Sequence, residues 1–259
     1  MITDAQIVLF LLVLTRVSTF IAFFPLFSRR QVPQLVKAGF AVSLTFFWYG
    51  MVERNSGIDI TAPLNLGVVH SVLLLAKEAT IGLVLSVAIG LFFLPAKVAG
   101  AYVGQELGLS LASISDPATQ DSSTLITRVF EAFTILLFFA LNLHHFLILV
   151  IHSTFNEFLG KIDVMKLPTE QLVGALNDVT DYGIMMIAPA AILLMLITAG
   201  LSFLNKAAPT LNLLTVGMSL RSGAGILCLL IFAPTILGAM QSYLYRVQED
   251  IEAILVAFR

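Results

Sequence analysis

Long apolar runs separated by short polar interruptions dominate this chain. Six runs stand out, at residues 5–27, 35–52, 66–94, 129–151, 183–204 and 211–237. Each reaches or approaches the roughly 20 residues that cross a hydrocarbon core of about 30 Å. Helix is the expected conformation, because a helix satisfies its backbone donors within its own segment. The strand alternation of a barrel is absent from the sequence, as are internal repeats and low-complexity tracts. The predicted fold class is therefore an all-α membrane protein of about six long apolar helices.

The breaks between runs carry turn chemistry. Pro33 follows the first run, beside Arg29, Arg30 and Lys37. Asn55-Ser56-Gly57 and Pro63 precede the third, and Pro168 lies in the polar stretch 157–181. Lys206-Ala207-Ala208-Pro209 predicts a tight connection between the last two runs. The tail 246–259 reads as a separate short amphipathic helix, with Val247, Ile251, Ile254, Leu255 and Phe258 on one face.

Composition supports this reading. Charged residues make up 12% of the chain and hydrophobic ones 58%, where a soluble domain carries about 25% charge. So few charges leave too little to cover a water-exposed surface. A net charge of −2 excludes the basic field that nucleic acid would need. The lone Cys228 has no partner for an internal disulfide. The first run follows Asp4, has no basic region before it and contains Arg16. It reads as a retained helix, not a cleaved signal. One domain, 1–259, with no separate soluble part, is expected. In a six-span arrangement Arg29, Arg30, Lys37, Lys97, Arg128 and Lys206 fall on one side, six charges. Arg54, Lys161, Lys166, Arg246 and Arg259 fall on the other, five. That asymmetry is too small to set an orientation.

Three features are candidates for function. The first is a ridge of small residues, Ala96, Gly100, Gly104, Gly108 and Ala112, spaced every four residues. On a helix they share a face and admit another backbone closely. Gly82, Ser86 and Gly90 form a shorter second ridge. Glycine costs about 1 kcal/mol per helical position relative to alanine, so glycines in register need a packing reason. Two readings stay open: ordinary packing between helices, or a close subunit interface lining a central passage.

The second is the polar stretch 109–124 that follows. It is rich in turn formers and cannot face lipid, so it faces water, protein or a lumen. Asp116-Pro117 suits an N-cap and first helical position, and Asp121 or Ser123 could cap the next long helix instead. A connecting loop and a loop that obstructs a channel are both compatible with these residues.

The third is a set of charges inside apolar runs: Arg16, Lys77, Glu78, Glu106, Glu131 and Arg221. Each would cost about 2.5–3.5 kcal/mol at a helix centre without a partner. Inter-subunit ion pairs are favoured over an ion relay. Lys77 and Glu78 are adjacent, point apart, and are expected to find separate partners.

His144 and His145 are also adjacent and diverge by about 100° on a helix. With no Cys or Asp cluster to complete a ligand set, no metal site is expected, and the pair is expected near a helix end or aqueous interface. The sequence lacks a phosphate loop, a Gly-x-Ser-x-Gly elbow and a His-Glu-x-x-His motif. No enzyme activity and no cofactor are expected, so energy for any transport comes from elsewhere.

The segment Ala99-Gly100-Ala101-Tyr102-Val103-Gly104-Gln105-Glu106-Leu107-Gly108-Leu109-Ser110-Leu111-Ala112-Ser113-Ile114-Ser115-Asp116-Pro117 resembles the glycine-rich signature of the FliR family, the R component of the bacterial type III export gate. Asn142-Leu143-His144-His145 is similar to that family's His-rich turn. Lys206-Ala207-Ala208-Pro209-Thr210-Leu211-Asn212 with Val216-Gly217 is similar to its Ala-Pro-Gln-Leu-Asn motif. Phe24-Pro25 and the Pro33 to Lys37 spacing match its N-terminal pattern, and the resemblance covers nearly the whole chain. Leu143 stands where the family usually has Gly, and Thr210 where it has Gln.

The resemblance implies bent helical hairpins within a hetero-oligomeric helical gate, much of it above the bilayer plane. It implies FliP- and FliQ-like partner subunits, contacts to FlhB- and FlhA-like export proteins, membrane lipid, and passage of unfolded flagellar substrates. It implies the bacterial inner membrane and flagellar basal body as location. The family's plug would fall on 108–123, with Leu109, Ser110, Leu111, Ser113, Ile114, Ser115, Asp116 and Pro117 as its core. The equivalent subunit of a virulence injectisome, a stand-alone transporter of ions or small solutes, and a scaffold without lumen contact are the competing readings.

Overall fold

A computed structural model describes residues 4–28, 32–55, 68–109, 124–158, 169–207 and 213–257. Among these, the regular elements are all helices: α1 Asp4–Phe23, α2 Pro25–Ser28, α3 Gln34–Asn55, α4 Val68–Gly90, α5 Leu94–Glu106, α6 Leu125–Ala140, α7 Leu143–Phe158, α8 Thr169–Ala207 and α9 Leu213–Ala257. Five helices are long and apolar enough to cross a membrane, and α6 with α7 supplies a sixth apolar stretch. The all-α class and the number of apolar helices therefore agree with the sequence pattern.

Boundaries differ where local chemistry intervenes. Residues 5–27 split at Phe24, because Pro25 starts α2 at a first helical position, where its missing N–H costs nothing. The run 129–151 is two helices broken at Leu141 and Asn142, and Asn142 adopts φ 58°. Asparagine tolerates that left-handed conformation better than other non-glycine residues. Residues 169–181, expected as connection, begin α8. The tail is not a separate helix: α9 runs 45 residues, through Pro234, to Ala257. Val247 and Ile251 of the expected amphipathic face are buried. At 1.5 Å per residue α9 spans roughly 68 Å, twice the hydrocarbon thickness.

The chain divides into two compact units, one comprising Met1–Gly90, Asn142–Leu172 and Asp250–Arg259, the other Leu91–Leu141 and Val173–Glu249. In the first, α1 packs on α3 through Phe10, whose ring lies 5.4 Å from Phe46 and 5.8 Å from Tyr49. The α3 residue Trp48 packs on Phe155 of α7 at 5.5 Å. The second ridge works here. A Cβ on Gly82 would strike the carbonyl oxygen of Arg16 and lie 3.2 Å from the amide of Phe20. One on Gly90 would meet Pro25 at 3.3 Å. Only glycine lets α4 and α1 approach backbone to backbone.

In the second unit, Phe92 and Phe93 pack on Phe138 at 5.6 and 5.3 Å. The Tyr243 hydroxyl of α9 donates to the Leu91 carbonyl at 2.9 Å, so a carbonyl left over where the chain turns between α4 and α5 is satisfied. Tyr182 of α8 meets Tyr243 at 5.1 Å, and the Arg246 guanidinium lies 5.5 Å from the Tyr182 ring centre.

Candidate functional site

The main ridge lies on α5, which opens with Pro95 in its first turn. Ala96, Gly100 and Gly104 are buried along one face. A Cβ on Gly100 would sit 2.6 Å from the Thr127 Cα, and one on Gly104 would strike the Thr124 hydroxyl. The partner that needs the small residues is therefore α6 of the same chain. Going up α5 from Gly100 to Gly104, the contact moves down α6 from Thr127 to Thr124. The two helices form an antiparallel hairpin, with Leu107 at the end of α5 and Thr124 at the start of α6 at its connected end.

Gly108, expected to continue the ridge, does not. It lies past the end of α5 at φ +75°, with nothing within 4 Å of the Cβ position. Leu109 N donates to the Gly104 carbonyl and Gly108 N to the Gln105 carbonyl, both at 3.0 Å. That is a Schellman cap, in which glycine takes the left-handed position closing the helix. A glycine between a helical pattern and a polar run is the sequence signal for it, here masked by the four-residue spacing. Ala112 lies outside the described residues, as do Ser110, Leu111, Ser113, Ile114, Ser115, Asp116 and Pro117 of the candidate plug.

The far end of the loop returns at Thr124. Its hydroxyl accepts from the Thr127 amide at 3.3 Å and lies 2.9 Å from the Thr127 hydroxyl. Thr124, rather than Asp121 or Ser123, caps α6, as an extended residue with a side-chain oxygen should.

Four of the six intramembrane charges pair within the chain, where inter-subunit pairs were expected. Arg221 Nη2 donates to Glu106 Oε2 at 2.7 Å, each side chain about a quarter exposed. In the other unit Arg16 is 1% and Glu78 2% exposed. Arg16 Nε donates to Glu78 Oε2 at 2.6 Å, and Nη1 to the Thr154 carbonyl at 2.7 Å and hydroxyl at 3.3 Å. The guanidinium lies 4.6 Å from the Phe155 ring centre. One side chain thus joins α1, α4 and α7. Lys77 and Glu131 are half-buried. The Thr154 contact had no signal in the sequence, because Thr154 is distant in the chain and ordinary in composition. His144 and His145 stand in the first turn of α7, their rings 4.1 Å apart and not divergent.

Long apolar helices with internally paired charges define a polytopic helical membrane protein. The comparisons with known proteins sharpen this class. The chain matches the family described as bacterial export proteins, family 1, over residues 7–247. It is 29% identical over 227 residues to the flagellar biosynthetic protein FliR of Escherichia coli (strain K12), covering 86% of this chain and 83% of that one. It is 26% identical over 226 residues to FliR of Bacillus subtilis (strain 168), covering 86% and 85%. FliR of Pectobacterium carotovorum subsp. carotovorum is 27% identical over 222 residues, covering 85% and 82%. The chain belongs to the bacterial export proteins, family 1, the family of FliR. It is a membrane component of the flagellar export apparatus.

Proposed function

We propose that the whole chain, as one FliR-like unit, forms with FliP- and FliQ-like subunits the channel through which unfolded flagellar proteins cross the bacterial inner membrane, at the flagellar basal body. FlhB- and FlhA-like export proteins are its further contacts. The loop 108–123 is the plug of that channel, keeping small ions out until substrate displaces it. The flagellar system is favoured over an injectisome because the relatives reported above are flagellar proteins.

The observation that carries the plug reading is the α5–α6 hairpin. Its helices bring Leu109 and Thr124, the two ends from which the polar stretch departs, to the same end of the hairpin. Such a loop avoids lipid only by facing water, protein or a lumen. The test is deletion of 110–115 in the assembled gate. Ion leak across the membrane should rise while subunit content stays normal. Normal assembly with an unchanged leak would defeat the plug.

A further inference from the structure

Two stretches of the second unit carry no charged residue. In α8, residues 182–205 lack Asp, Glu, Lys and Arg, between Asp181 and Lys206. In α9, residues 222–245 lack them too, between Arg221 and Arg246. Each measures about 36 Å at 1.5 Å per helical residue, the hydrocarbon core of about 30 Å plus one turn. The two helices run antiparallel. Asp178 meets Arg246 at 3.9 Å and Tyr182 meets Tyr243, so the stretches are level at that end. Further along, Cys228 Sγ lies 3.7 Å from the Ala190 carbonyl oxygen, and Leu194 borders Gly225. At the other end Lys206 closes the stretch of α8. Arg221 sits about two turns short of that level, where an unpaired charge would be costly, and it is paired with Glu106.

Ile184, Met185, Met195, Leu196 and Phe203 of α8 and Leu230 of α9 are each more than half exposed along this band. Its hydroxyls do not need water. Thr198 donates to the Leu194 carbonyl and Ser202 to the Thr198 carbonyl, both at 2.9 Å, and Ser242 to the Gly238 carbonyl at 3.0 Å. Each is satisfied four residues back on its own helix. The exposed side chains are also large. Where a helix of this chain meets another backbone closely, the contact is glycine, as at Gly82 and Gly100, and small residues mark such interfaces in membranes. At one rim Tyr245 and Arg246 are exposed, with the Arg246 guanidinium over the Tyr182 ring. Tyrosine with a snorkelling cation is the chemistry of the headgroup level. Lys206 is exposed at the other rim, so each leaflet's phosphates find one complementary cation. We propose that phospholipid, not another subunit, covers this face of α8 and α9 in the assembled apparatus. Acyl chains lie along the band, and headgroup phosphates lie at Arg246 and Lys206.

The test uses the chain assembled with its export partners, in vesicles of phosphatidylethanolamine and phosphatidylglycerol. Cys228→Ala removes the chain's own thiol, and the partners carry no reactive thiol. A fluorophore is attached through Leu196→Cys, Phe203→Cys or Tyr245→Cys, and phospholipids bearing a nitroxide serve as quenchers. A nitroxide in the middle of the acyl chain should remove most of the emission at 196 and little at 203 and 245. A nitroxide on the headgroup should do the reverse. Leu230→Cys reads the same band from α9, with the expectation for 196, should a label at 196 block assembly. A label at 196 or 230 that neither nitroxide quenches in the assembled complex would mean that a protein partner covers this face, and would overturn the proposal. Quenching there by aqueous iodide would overturn it too. Equal responses at 196 and 245 would do the same, because the headgroups would then not lie at Arg246.

Discussion

Arg16 shows how one buried charge organises several helices. With Glu78, the Thr154 carbonyl and the Phe155 ring around it, the guanidinium is satisfied on most sides at 1% exposure. A charge so buried is tolerable only with its partner, and removing one member strands the other. Arg16→Ala or Glu78→Ala alone should therefore destabilise the folded chain by about 3–5 kcal/mol. Arg16→Met with Glu78→Leu together should recover most of that loss, because a well-packed apolar pair needs no desolvation. Denaturant titration of the purified complex, or protease resistance in membranes, would measure the cycle. Equal losses for the single and double replacements would mean that the pair is not the unit of stability. The residue scale is also where sequence reading was incomplete. Arg16 and Glu78 stood out as misplaced charges, yet their pairing to each other did not, because 62 residues separate them.

At the scale of elements, glycine decides how closely helices approach, and its neighbours decide how much each site matters. At Gly82 and Gly100 the obstacle is backbone, the Arg16 carbonyl and the Thr127 Cα. Neither can move without shifting a helix. At Gly225 the obstacle is the end of the Leu107 side chain, which can change rotamer at smaller cost. At Gly223, two residues away, nothing lies within 4 Å. Alanine should thus be most damaging at Gly82 and Gly100, by at least the roughly 1–3 kcal/mol of overpacking, less so at Gly225, and least at Gly223. Thermal aggregation of detergent-solubilised complex would rank them, and a Gly223→Ala protein as damaged as Gly100→Ala would contradict the order. The helix ends were only partly legible. Pro25 and Asn142 are residue types that suit a break, yet both lie inside runs that the hydrophobic pattern reads as single helices. Gly108 did not show as a cap, because the same glycine fits both a ridge and a cap, and only the backbone angle separates them.

At the scale of the whole molecule, the long helices expose many large apolar side chains. Ile192, Met195 and Leu196 of α8 and Leu227, Leu230 and Ile231 of α9 are all at least 60% exposed. A patch of this kind lies against lipid or other subunits rather than water. Leu230→Arg should then lower the yield of chain in membranes with bound partners several-fold, since a charge there costs about 2.5–3.5 kcal/mol. Leu230→Ala should change it little. Quantitative blotting of the membrane fraction and of co-purified subunits would decide, and an unaffected Leu230→Arg yield would put that face in water. Family membership, by contrast, was legible throughout, because it lives in motifs spread from Phe24 to Gly217.

Composition and the length of the apolar runs determined by themselves that this chain is helical and belongs in a membrane, since in lipid each segment must satisfy its own backbone. Local residue types marked most of the breaks. Which glycine meets which backbone, which carboxylate answers which guanidinium, and where the polar loop is anchored were decided only by tertiary structure. Those pairings join residues far apart in sequence, and their energies depend on burial and distance, which no single segment encodes.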